Sequence, residues 1–332
     1  EPGQPGPVAE ILFTSGATAE PKGVTLTHRN ILANVHPIEE ELARYRRWIR
    51  LVSPLRFLNL LPLSHMFGQS MATFIPPMVA GTVVFSRGYN PQEIVRQIKG
   101  RRVSVLVCVP KVLEMLKEHV ERTGNRENST GKSFPRRWWM HRDVHGMFGW
   151  KFWAIVVGGA PLEPALEQFW RERGFLVIQG YGLTETAPIV TLNHPLKKPA
   201  AGTVGTPIAG VEIRIADDGE VLVRGENVTP GYFGADEETR AAFSDGWFHT
   251  GDIGSLDSEG RLTIKGRKKE MIVTADGLNV FPDDVERALN AQPGVRESAV
   301  VGAQGETEER VHAVLVLSRG ASGAAVVRAA NA

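Results

Sequence analysis

Residues 152–179, FWAIVVGGAPLEPALEQFWRERGFLVIQ, combine two apolar runs with an amphipathic segment between them. The apolar, β-branched runs Phe152–Val157 and Phe175–Gln179 predict two strands, and Glu163–Arg173 predicts a helix. Strands that are separated by a helix are typical of a parallel sheet with helices packed on it. This stretch therefore predicts an α/β fold.

The same alternation extends over the first half of the chain. Further strands are predicted at Glu10–Phe13 and Val103–Val109, and further helices at Pro91–Lys99 and Lys111–Arg122. We expect mostly parallel sheets flanked by helices, which bind ligands outside the carboxyl ends of their strands. The loop that begins at Thr14 follows the first predicted strand, so we expect it at this ligand-binding edge.

The pattern changes after about residue 200. Short alternating strands with turns at Asp217–Gly219 and Asp257–Gly260 predict a small antiparallel β-barrel or sheet. The charged stretch GRKKEM, residues 266–271, predicts a linker. Beyond it, a helix at Pro282–Ala291 and strands at Ser298–Val301 and His312–Leu317 indicate a small α+β domain.

Three parts are therefore expected. They are an α/β core over residues 1–199, a β-barrel over residues 200–266, and a partial C-terminal lid domain over residues 267–332.

Composition narrows the class of protein. The chain has 332 residues, 42% of them hydrophobic, and a net charge of +1, which gives no reason to expect a nucleic-acid partner. Its single cysteine, Cys108, lies in an apolar run and is expected in the core, as in a protein of a reducing compartment. The apolar stretch Phe74–Phe85 is too short to span a bilayer. We expect a cytoplasmic protein, with peripheral contact at a membrane surface as an addition.

The segment TSGATAEPKG, residues 14–23, places hydroxyl groups, a glycine and a lysine directly after an apolar strand. Backbone N–H groups in such a turn can converge on a phosphate, and a lysine adds positive charge. A plain solvent-exposed loop is the alternative, since these residue types are common in loops. The spacing is not that of the nucleotide P-loop.

Two further stretches follow predicted strands. In GGAPL, residues 158–162, the glycines would let the backbone approach a flat ligand; the alternative is a strand-to-helix turn with Pro161 opening the helix. In YGLTET, Tyr181 could stack on a base, Thr184 could contact a phosphate and Glu185 could hold Mg²⁺. A surface turn with a solvated glutamate is the alternative for the second stretch.

Two more stretches carry single candidate residues. In HTGDI, the Asp252 carboxylate could accept hydrogen bonds from both hydroxyls of a ribose, or merely cap a turn. In LPLSHMFG, residues 61–68, His65 lies among apolar residues, and a packed core histidine is the more common outcome for such a position.

In this order and spacing the stretches strongly resemble the AMP-forming adenylating enzymes, which include acyl-CoA synthetases, beetle luciferases and peptide-synthetase adenylation domains. The chain is most similar to the long-chain fatty acyl-CoA synthetases among them. The segments that carry the resemblance are TSGATAEPKG, LPLSHMFG, GGAPL, YGLTET, HTGD and GRKKEMIVTADGLNVFPDDVE.

The resemblance implies a role for each matching residue. Contacts to the β- and γ-phosphates of ATP are implied for Thr14, Ser15, Gly16, Thr18 and Lys22. Contacts to adenine or to the α-phosphate are implied for Gly158, Gly159, Ala160, Tyr181, Gly182 and Thr184. Glu185 matches the Mg²⁺ ligand, and Asp252 and Arg267 match ribose contacts. Lys269 matches a domain hinge, Gly277 a loop that faces the site during thioester formation, and His65 a residue beside the acyl carboxylate.

The activity that the resemblance implies has two steps. A carboxylic acid reacts with Mg·ATP to give an acyl-adenylate and pyrophosphate, and coenzyme A then displaces AMP. Thr184, Glu185, His65 and Lys22 would form the catalytic set, and the protein would act mainly by positioning the reactants and neutralising charge. The alternatives are transfer to a carrier protein, formation of a fatty acyl-AMP, or a non-catalytic adenylate-binding module.

The acid itself is indicated by two features. LPLSHMFG lacks the aspartate with which peptide-synthetase domains hold an amino group, which disfavours amino acids. Residues 133–153, SFPRRWWMHRDVHGMFGWKFW, resemble the aromatic, basic segment of long-chain fatty acyl-CoA synthetases. We expect an acyl entrance with an interfacial patch around Arg136, Arg137 and Trp138; a packed pair of aromatic helices is the alternative.

The chain departs from the family pattern in three ways. Ala17 and Ala19 stand where the phosphate loop usually has a hydroxyl residue and a glycine, which predicts weaker ATP binding. Few residues precede this loop, and Lys269 is the last lysine, although the family carries a late catalytic lysine. A fragment that adenylates poorly is therefore expected.

Overall fold

A computed structural model of the chain describes residues 6–14, 21–86, 88–123, 134–193, 202–274, 278–304, 309–318, 320–321, 323 and 327–328. The strands are, in chain order, β1 (Val8–Thr14), β2 (Lys22–Thr27), β3 (Arg56–Asn59), β4 (Thr82–Phe85), β5 (Val105–Cys108), β6 (Ala154–Val157), β7 (Leu176–Gly182), β8 (Ile189–Leu192), β9 (Thr206–Pro207), β10 (Val211–Ile215), β11 (Glu220–Gly225), β12 (Gly231–Tyr232), β13 (Phe243–Ser244), β14 (Trp247–Leu256), β15 (Leu262–Arg267), β16 (Ile272–Val273), β17 (Asn279–Val280), β18 (Val295–Gln304) and β19 (Glu309–Leu317).

The helices are α1 (His28–Arg44), α2 (Arg46–Val52), α3 (Met66–Gln69), α4 (Ile75–Met78), α5 (Pro91–Gly100), α6 (Pro110–Thr123), α7 (Phe134–Met140), α8 (Arg142–Phe148), α9 (Pro164–Glu172), α10 (Asp236–Ala242) and α11 (Pro282–Asn290). A π-helical segment, Ser70–Phe74, joins α3 to α4, and a 3₁₀ turn spans Thr184–Thr186. Among these helices, none is both long and apolar enough to cross a membrane.

The chain is divided into two compact units. The first comprises residues 1–213, 223–248 and 257–262, and the second comprises residues 214–222, 249–256 and 263–332.

A seven-stranded sheet forms the centre of the first unit, with the strand order β4-β3-β5-β6-β7-β8-β9. The five strands from β4 to β7 pair in parallel, and β8 and β9 continue the sheet in antiparallel register. The predicted class, a mostly parallel sheet flanked by helices, is therefore confirmed. The β-α-β unit over residues 152–179 forms as predicted: β6 and β7 pair in parallel, and α9 lies between them along the chain.

Both faces of this sheet are covered, as the alternation along β5 demonstrates. Leu106 and Cys108 belong to the core under α5, α6, α8 and α9, whereas Val105 and Val107 belong to the core on the opposite face. Successive side chains of a strand point to opposite faces, so a strand buried on both reads as a continuous apolar run. Cys108 is fully buried, and burial raises the pKa of its thiol far above the ordinary value.

The first predicted strand does not join the parallel sheet. β1 pairs with β2 in antiparallel register, from Glu10 opposite Leu26 to Thr14 opposite Lys22, and β2 also pairs with β12. The expectation of a parallel strand here is wrong, because only residues 15–21 connect β1 to β2. A connection this short permits a hairpin, whereas a parallel crossover needs a dozen residues or more.

The second half contains the short antiparallel strands that the sequence predicts. A five-stranded sheet has the order β10-β11-β14-β13, with β15 beside β14. Both predicted turns are present; at the first, the Gly219 N–H donates to the Ala216 carbonyl. The charged stretch 266–271 is not wholly a linker, because β15 extends through Arg267 before the chain turns at Lys268–Glu270.

The C-terminal part of the second unit has a small core of its own. α11 packs against β18 through Leu289 and Val300, which are buried together with Ile272. β18 and β19 form a two-stranded antiparallel hairpin, and β16 pairs with β17. The predicted helix and the two predicted strands of this region are therefore present.

Candidate functional site

The carboxyl ends of β6 and β7 lie side by side, because Val157 is opposite Gln179. The Gly158–Ala160 turn follows β6, and Tyr181 and Gly182 end β7. The ring of Phe67 lies against Gly158, where an added Cβ would come within 3.2 Å of its Cε1. Three of the sequence motifs thus meet at this edge of the sheet, as the rule for parallel sheets predicts.

The turn that follows β6 is longer than a simple strand-to-helix turn in which Pro161 would open the helix. Pro161 does not open the following helix, since α9 begins at Pro164 with Glu163 as its N-cap residue. A proline suits the first helical position, and of the two prolines here the chain uses the second. Gly159 adopts a φ of +80°, a left-handed conformation that disfavours any other residue.

The 3₁₀ turn Thr184–Thr186 is held by buried hydrogen bonds. The Thr186 hydroxyl donates to the Pro188 carbonyl at 2.6 Å and accepts from the Leu183 N–H at 2.9 Å. Two asparagines, Asn34 on α1 and Asn227, each donate through Nδ2 to the carbonyls of Thr186 and Ile189. Both asparagines are 1% exposed, so these amide contacts fix the turn from inside the protein.

Glu185, the residue predicted to bind Mg²⁺, has defined partners in this turn. Its carbonyl accepts from the Thr229 N–H at 2.8 Å, and its Oε1 accepts from the Tyr232 hydroxyl at 3.0 Å. The Lys22 ammonium lies 5.1 Å from the centroid of the Tyr232 ring. Burial, with the adjacent Glu185 charge, raises the pKa of Tyr232, so the phenol stays protonated at neutral pH. Lys22, Tyr232 and Glu185 thus form one cluster.

This cluster suits magnesium in a nucleotide site better than a protein-only metal site. Within the described part of the chain, no group of three histidine, cysteine or acidic side chains could hold a metal. Mg²⁺ bound with a nucleotide takes one or two carboxylates, and water and phosphate oxygens supply its remaining ligands. The single Glu185 carboxylate fits that donor set.

In the second unit, the two residues predicted to contact a ribose lie together. The Arg267 Nε atom is 3.0 Å from the Asp252 Oδ1 atom, and Arg267 Nη1 donates to the Thr250 carbonyl at 3.4 Å. Asp252 is 4% exposed, so its carboxylate is buried. The pair presents a buried carboxylate beside an exposed guanidinium.

Next to this pair lies a cluster that sequence reasoning missed. Glu220 is 4% exposed. Its Oε2 atom accepts a hydrogen bond from Lys268 Nζ at 2.9 Å and lies 3.1 Å from His249 Nδ1. Its Oε1 atom accepts from the Gly251 N–H. Lys268 Nζ also lies 2.6 Å from an Asp218 oxygen. Burial alone would raise the pKa of Glu220, but the hydrogen bonds from Lys268, His249 and Gly251 outweigh it and lower that pKa.

Replacing Lys268 with methionine should weaken hydrogen-exchange protection of the Gly251 amide at pH 7 by about 1 kcal/mol, a value discounted for the half-exposed ammonium. Lys268 lowers the pKa of both Asp218 and Glu220 from ordinary values of 3.8 and 4.5. The stabilisation is therefore present above those values and is lost as pH falls through the lower folded-state values. At high pH the same stabilisation is lost only above pH 10.5, because the pKa of Lys268 is raised above that ordinary value. Exchange measured by mass spectrometry should show a constant difference from pH 5 to pH 9.

The matched control is Lys265→Met, which removes an exposed lysine of β15. It should leave Gly251 protection within about 0.5 kcal/mol of wild type. Equal protection in the Lys268 variant and the wild-type chain would show that the ion pairs contribute nothing.

The remaining predicted residues have varied positions. Thr14 ends β1, where its hydroxyl donates to the Lys22 carbonyl at 3.4 Å. His65 is exposed at the start of α3, so the expectation that it packs in the core is wrong. Lys269 is also exposed. Ser15, Gly16, Thr18 and Gly277, together with the departures Ala17 and Ala19, lie outside the described residues.

The aromatic segment 133–153 divides between core and surface. Phe148 and Phe152 are buried against Phe175, whereas Trp139 and Trp150 are 64% and 70% exposed. Each exposed indole has a cation near its ring, Arg142 for Trp139 and Lys151 for Trp150. The described part of this segment therefore has buried phenylalanines and exposed indoles. The Trp138 side chain lies outside the described residues, and the predicted membrane contact stays a prediction.

Comparison with known proteins identifies the class to which this fold and site belong. The chain belongs to the AMP-binding enzyme family, whose model matches residues 1–233. The match includes the Gly158–Ala160 turn and the Glu185 cluster of the first unit.

Particular relatives are acyl-CoA ligases. The long-chain-fatty-acid–CoA ligase FadD15 of Mycobacterium bovis is 36% identical over 330 residues, covering 89% of this chain and 52% of its own length. Feruloyl-CoA synthase of an Amycolatopsis species is 30% identical, covering 89% and 56%. The chain thus spans little more than half the length of these relatives.

Solved structures agree with this assignment. The O-succinylbenzoate coenzyme A synthetase MenE of Bacillus subtilis, in complex with ATP and a magnesium ion, has a TM-score of 0.77 and 28% identity. That match covers 98% of this chain and 63% of MenE. ATP-bound MatB of Rhodopseudomonas palustris has a TM-score of 0.79 and 30% identity, covering 98% and 61%.

Sequence reasoning missed the residues that hold the Glu185 turn. Asn34, Asn227 and Tyr232 lie far from Glu185 along the chain, and no local pattern marks them. The short segment TPGYFG, residues 229–234, offers only a turn signal. Tyr232 lies on β12, which pairs with β2, whereas the two asparagines reach the turn through their amide hydrogen bonds.

Proposed function

We propose that the chain is the catalytic part of an AMP-forming acyl-CoA ligase whose acid is a long-chain fatty acid. The observation that carries the proposal is the Glu185 carboxylate, fixed by a buried turn and a tyrosine hydroxyl, in a chain of the AMP-binding enzyme family. The relatives named above activate acids as coenzyme A thioesters, and the MenE structure holds ATP and magnesium.

In the proposed reaction, a carboxylate oxygen of the acid attacks the α-phosphorus of ATP. The new P–O bond forms as the bond to pyrophosphate breaks. The coenzyme A thiol then gives up its proton to solvent and attacks the acyl carbon, so that a C–S bond replaces the C–O bond to AMP. Magnesium supplies charge neutralisation on the phosphates when bound.

The chain's own residues are assigned to binding and orientation. Thr14, Ser15, Gly16, Thr18 and Lys22 would contact the outer phosphates, and Thr184 the α-phosphate. Gly158, Gly159, Ala160, Tyr181 and Gly182 would line the adenine, and Asp252 with Arg267 would hold the ribose. His65 would lie beside the acyl carboxylate. Lys269 would act as the hinge, and Gly277 would face the site in the thioester-forming pose.

A long-chain acid is favoured over an aromatic one by two observations. FadD15 shares a higher identity with this chain than feruloyl-CoA synthase does. The exposed indoles Trp139 and Trp150, each beside a cation, also suit an interface at which a fatty acid is delivered. Peripheral membrane contact through residues 133–153 of a cytoplasmic enzyme is part of the proposal.

The proposal is tested by calorimetric titration of the chain with a non-hydrolysable palmitoyl-adenylate mimic, using AMP as competitor. We expect the mimic to bind at least 100-fold more tightly than AMP, because burial of four methylenes already contributes about 3 kcal/mol. The matched ligand is the feruloyl-adenylate mimic. Tighter binding of the feruloyl compound would overturn the fatty-acid assignment, and failure of AMP to compete would overturn the adenylate site.

A further inference from the structure

Tyr232 occupies a position that the proposed catalytic set does not use. Its hydroxyl donates to Glu185 Oε1 at 3.0 Å, and its ring lies beneath the Lys22 ammonium, 5.1 Å from the ring centroid. Its N–H donates to the Thr239 hydroxyl at 2.9 Å, and on β12 it pairs with Val24 of β2. The backbone and the ring of Tyr232 are therefore both fixed, and its hydroxyl is aimed at a carboxylate.

The Tyr232 hydroxyl donates a hydrogen bond to one oxygen of the Glu185 carboxylate. In the described part of the chain, Tyr232 supplies the side-chain donor that contacts this carboxylate, while the Thr229 N–H holds the Glu185 carbonyl. A carboxylate with one oxygen fixed by a neutral donor loses rotational freedom about its last side-chain bond. A metal ligand benefits from that restriction, because the orientation is fixed before the ion binds.

The Lys22 ammonium adds to this arrangement. A cation over the face of a phenol ring draws electron density from the ring, which makes the hydroxyl a stronger donor. Lys22 is also the first residue of β2, within the segment predicted to bind phosphate. One ring therefore connects the residue assigned to phosphate with the residue assigned to magnesium.

We propose that Tyr232 is a positioning residue for magnesium, holding the Glu185 carboxylate in its metal-binding orientation through the hydroxyl. The inference rests on the proposed function, since it takes Glu185 to be the ligand of a nucleotide-bound divalent cation. A purely structural tyrosine would stabilise the β12–β2 pairing without changing how ATP binding depends on magnesium.

The experiment measures ATP binding by the chain at increasing free Mg²⁺, and again in EDTA, for wild type and Tyr232→Phe. We expect the half-saturating Mg²⁺ concentration to rise about tenfold in Tyr232→Phe, as is typical when the partner of a metal ligand is removed. Binding in EDTA should stay unchanged, because that measurement does not involve the metal. Circular dichroism checks that the variant, which loses a single hydroxyl group, is folded.

Tyr89→Phe is the matched control. The Tyr89 hydroxyl donates to the Leu60 carbonyl at 3.2 Å, so this variant also loses one hydroxyl hydrogen bond, but none to a carboxylate. Its half-saturating Mg²⁺ concentration should equal that of wild type.

A double-mutant cycle with Glu185→Gln separates action through Glu185 from a general effect. If Tyr232 acts through this carboxylate, Tyr232→Phe should add nothing in the Glu185→Gln background. An unchanged Mg²⁺ dependence in Tyr232→Phe, an equal loss in EDTA, or full additivity in the cycle would overturn the inference while leaving the proposed function intact. A wild-type chain that binds no ATP at any Mg²⁺ concentration would instead overturn the proposed function, and this inference with it.

Discussion

Replacing Glu185 with glutamine should lower the affinity of the chain for Mg·ATP about 100-fold, which corresponds to ~2.8 kcal/mol. The substitution keeps the shape of the side chain and replaces a charged ligand with a neutral amide. Losing one partner of a hydrogen-bonded charge pair in a partly buried site typically costs about 2–5 kcal/mol. The affinity is obtained from the rise in melting temperature with Mg·ATP concentration, since a ligand that binds the folded state stabilises it by mass action.

The matched control is Glu212→Gln. Glu212 is exposed and forms an ion pair with Arg224 at 2.6 Å, so it tests the loss of a glutamate charge away from the candidate site. This variant should bind Mg·ATP as wild type does. Wild-type affinity in the Glu185 variant would show that Glu185 is not a ligand of the magnesium ion.

Truncation of Trp170 to alanine should lower the free energy of unfolding of the first unit by about 3–5 kcal/mol. Trp170 on α9 is fully buried, and its ring packs edge-on against Phe148, Phe169 and Phe175. Alanine would leave a cavity lined by those rings, and the surrounding strands and helices limit how far it can collapse. Urea unfolding followed by circular dichroism at 222 nm measures the change.

Trp150→Ala is the control for this second prediction. Trp150 is 70% exposed, and its loss should alter the free energy of unfolding by no more than about 0.5 kcal/mol. A comparably small effect at Trp170 would mean that the aromatic core is rearranged in solution.

The parallel part of the fold could be predicted because its signals are local. Residues 105–108 and 154–157 are continuous apolar runs, and α5 and α9 carry their apolar residues at helical spacing. Which strand a given strand pairs with could not be predicted from its own residues. The β-propensity of β1 is plain from its residues, yet its antiparallel pairing depends on the length of the connection to β2.

Some residues of the candidate site could likewise be predicted from local sequence, and others could not. Glu185 lies in a short polar stretch after β7, and Asp252 lies in the short polar stretch HTGD within β14, so sequence alone could propose them. Tyr232 and Glu220 acquire their significance from partners distant in sequence, through the hydroxyl contact to Glu185 and the contacts from Lys268 and His249. Ordinary strand residues have the same local pattern, so no local signal distinguishes them.

Burial of Cys108 has a practical consequence. It is the single cysteine of the chain, its side chain is inaccessible, and its raised pKa keeps the thiol protonated at neutral pH. Because the thiolate is the reactive form, maleimide reagents should leave this residue unmodified. Cysteines introduced at exposed positions, such as Lys99 in the first unit and Arg296 in the second, could then carry a donor and an acceptor dye. Single-molecule energy transfer between the dyes would then report whether their distance changes when Mg·ATP is added, with the native sequence otherwise intact.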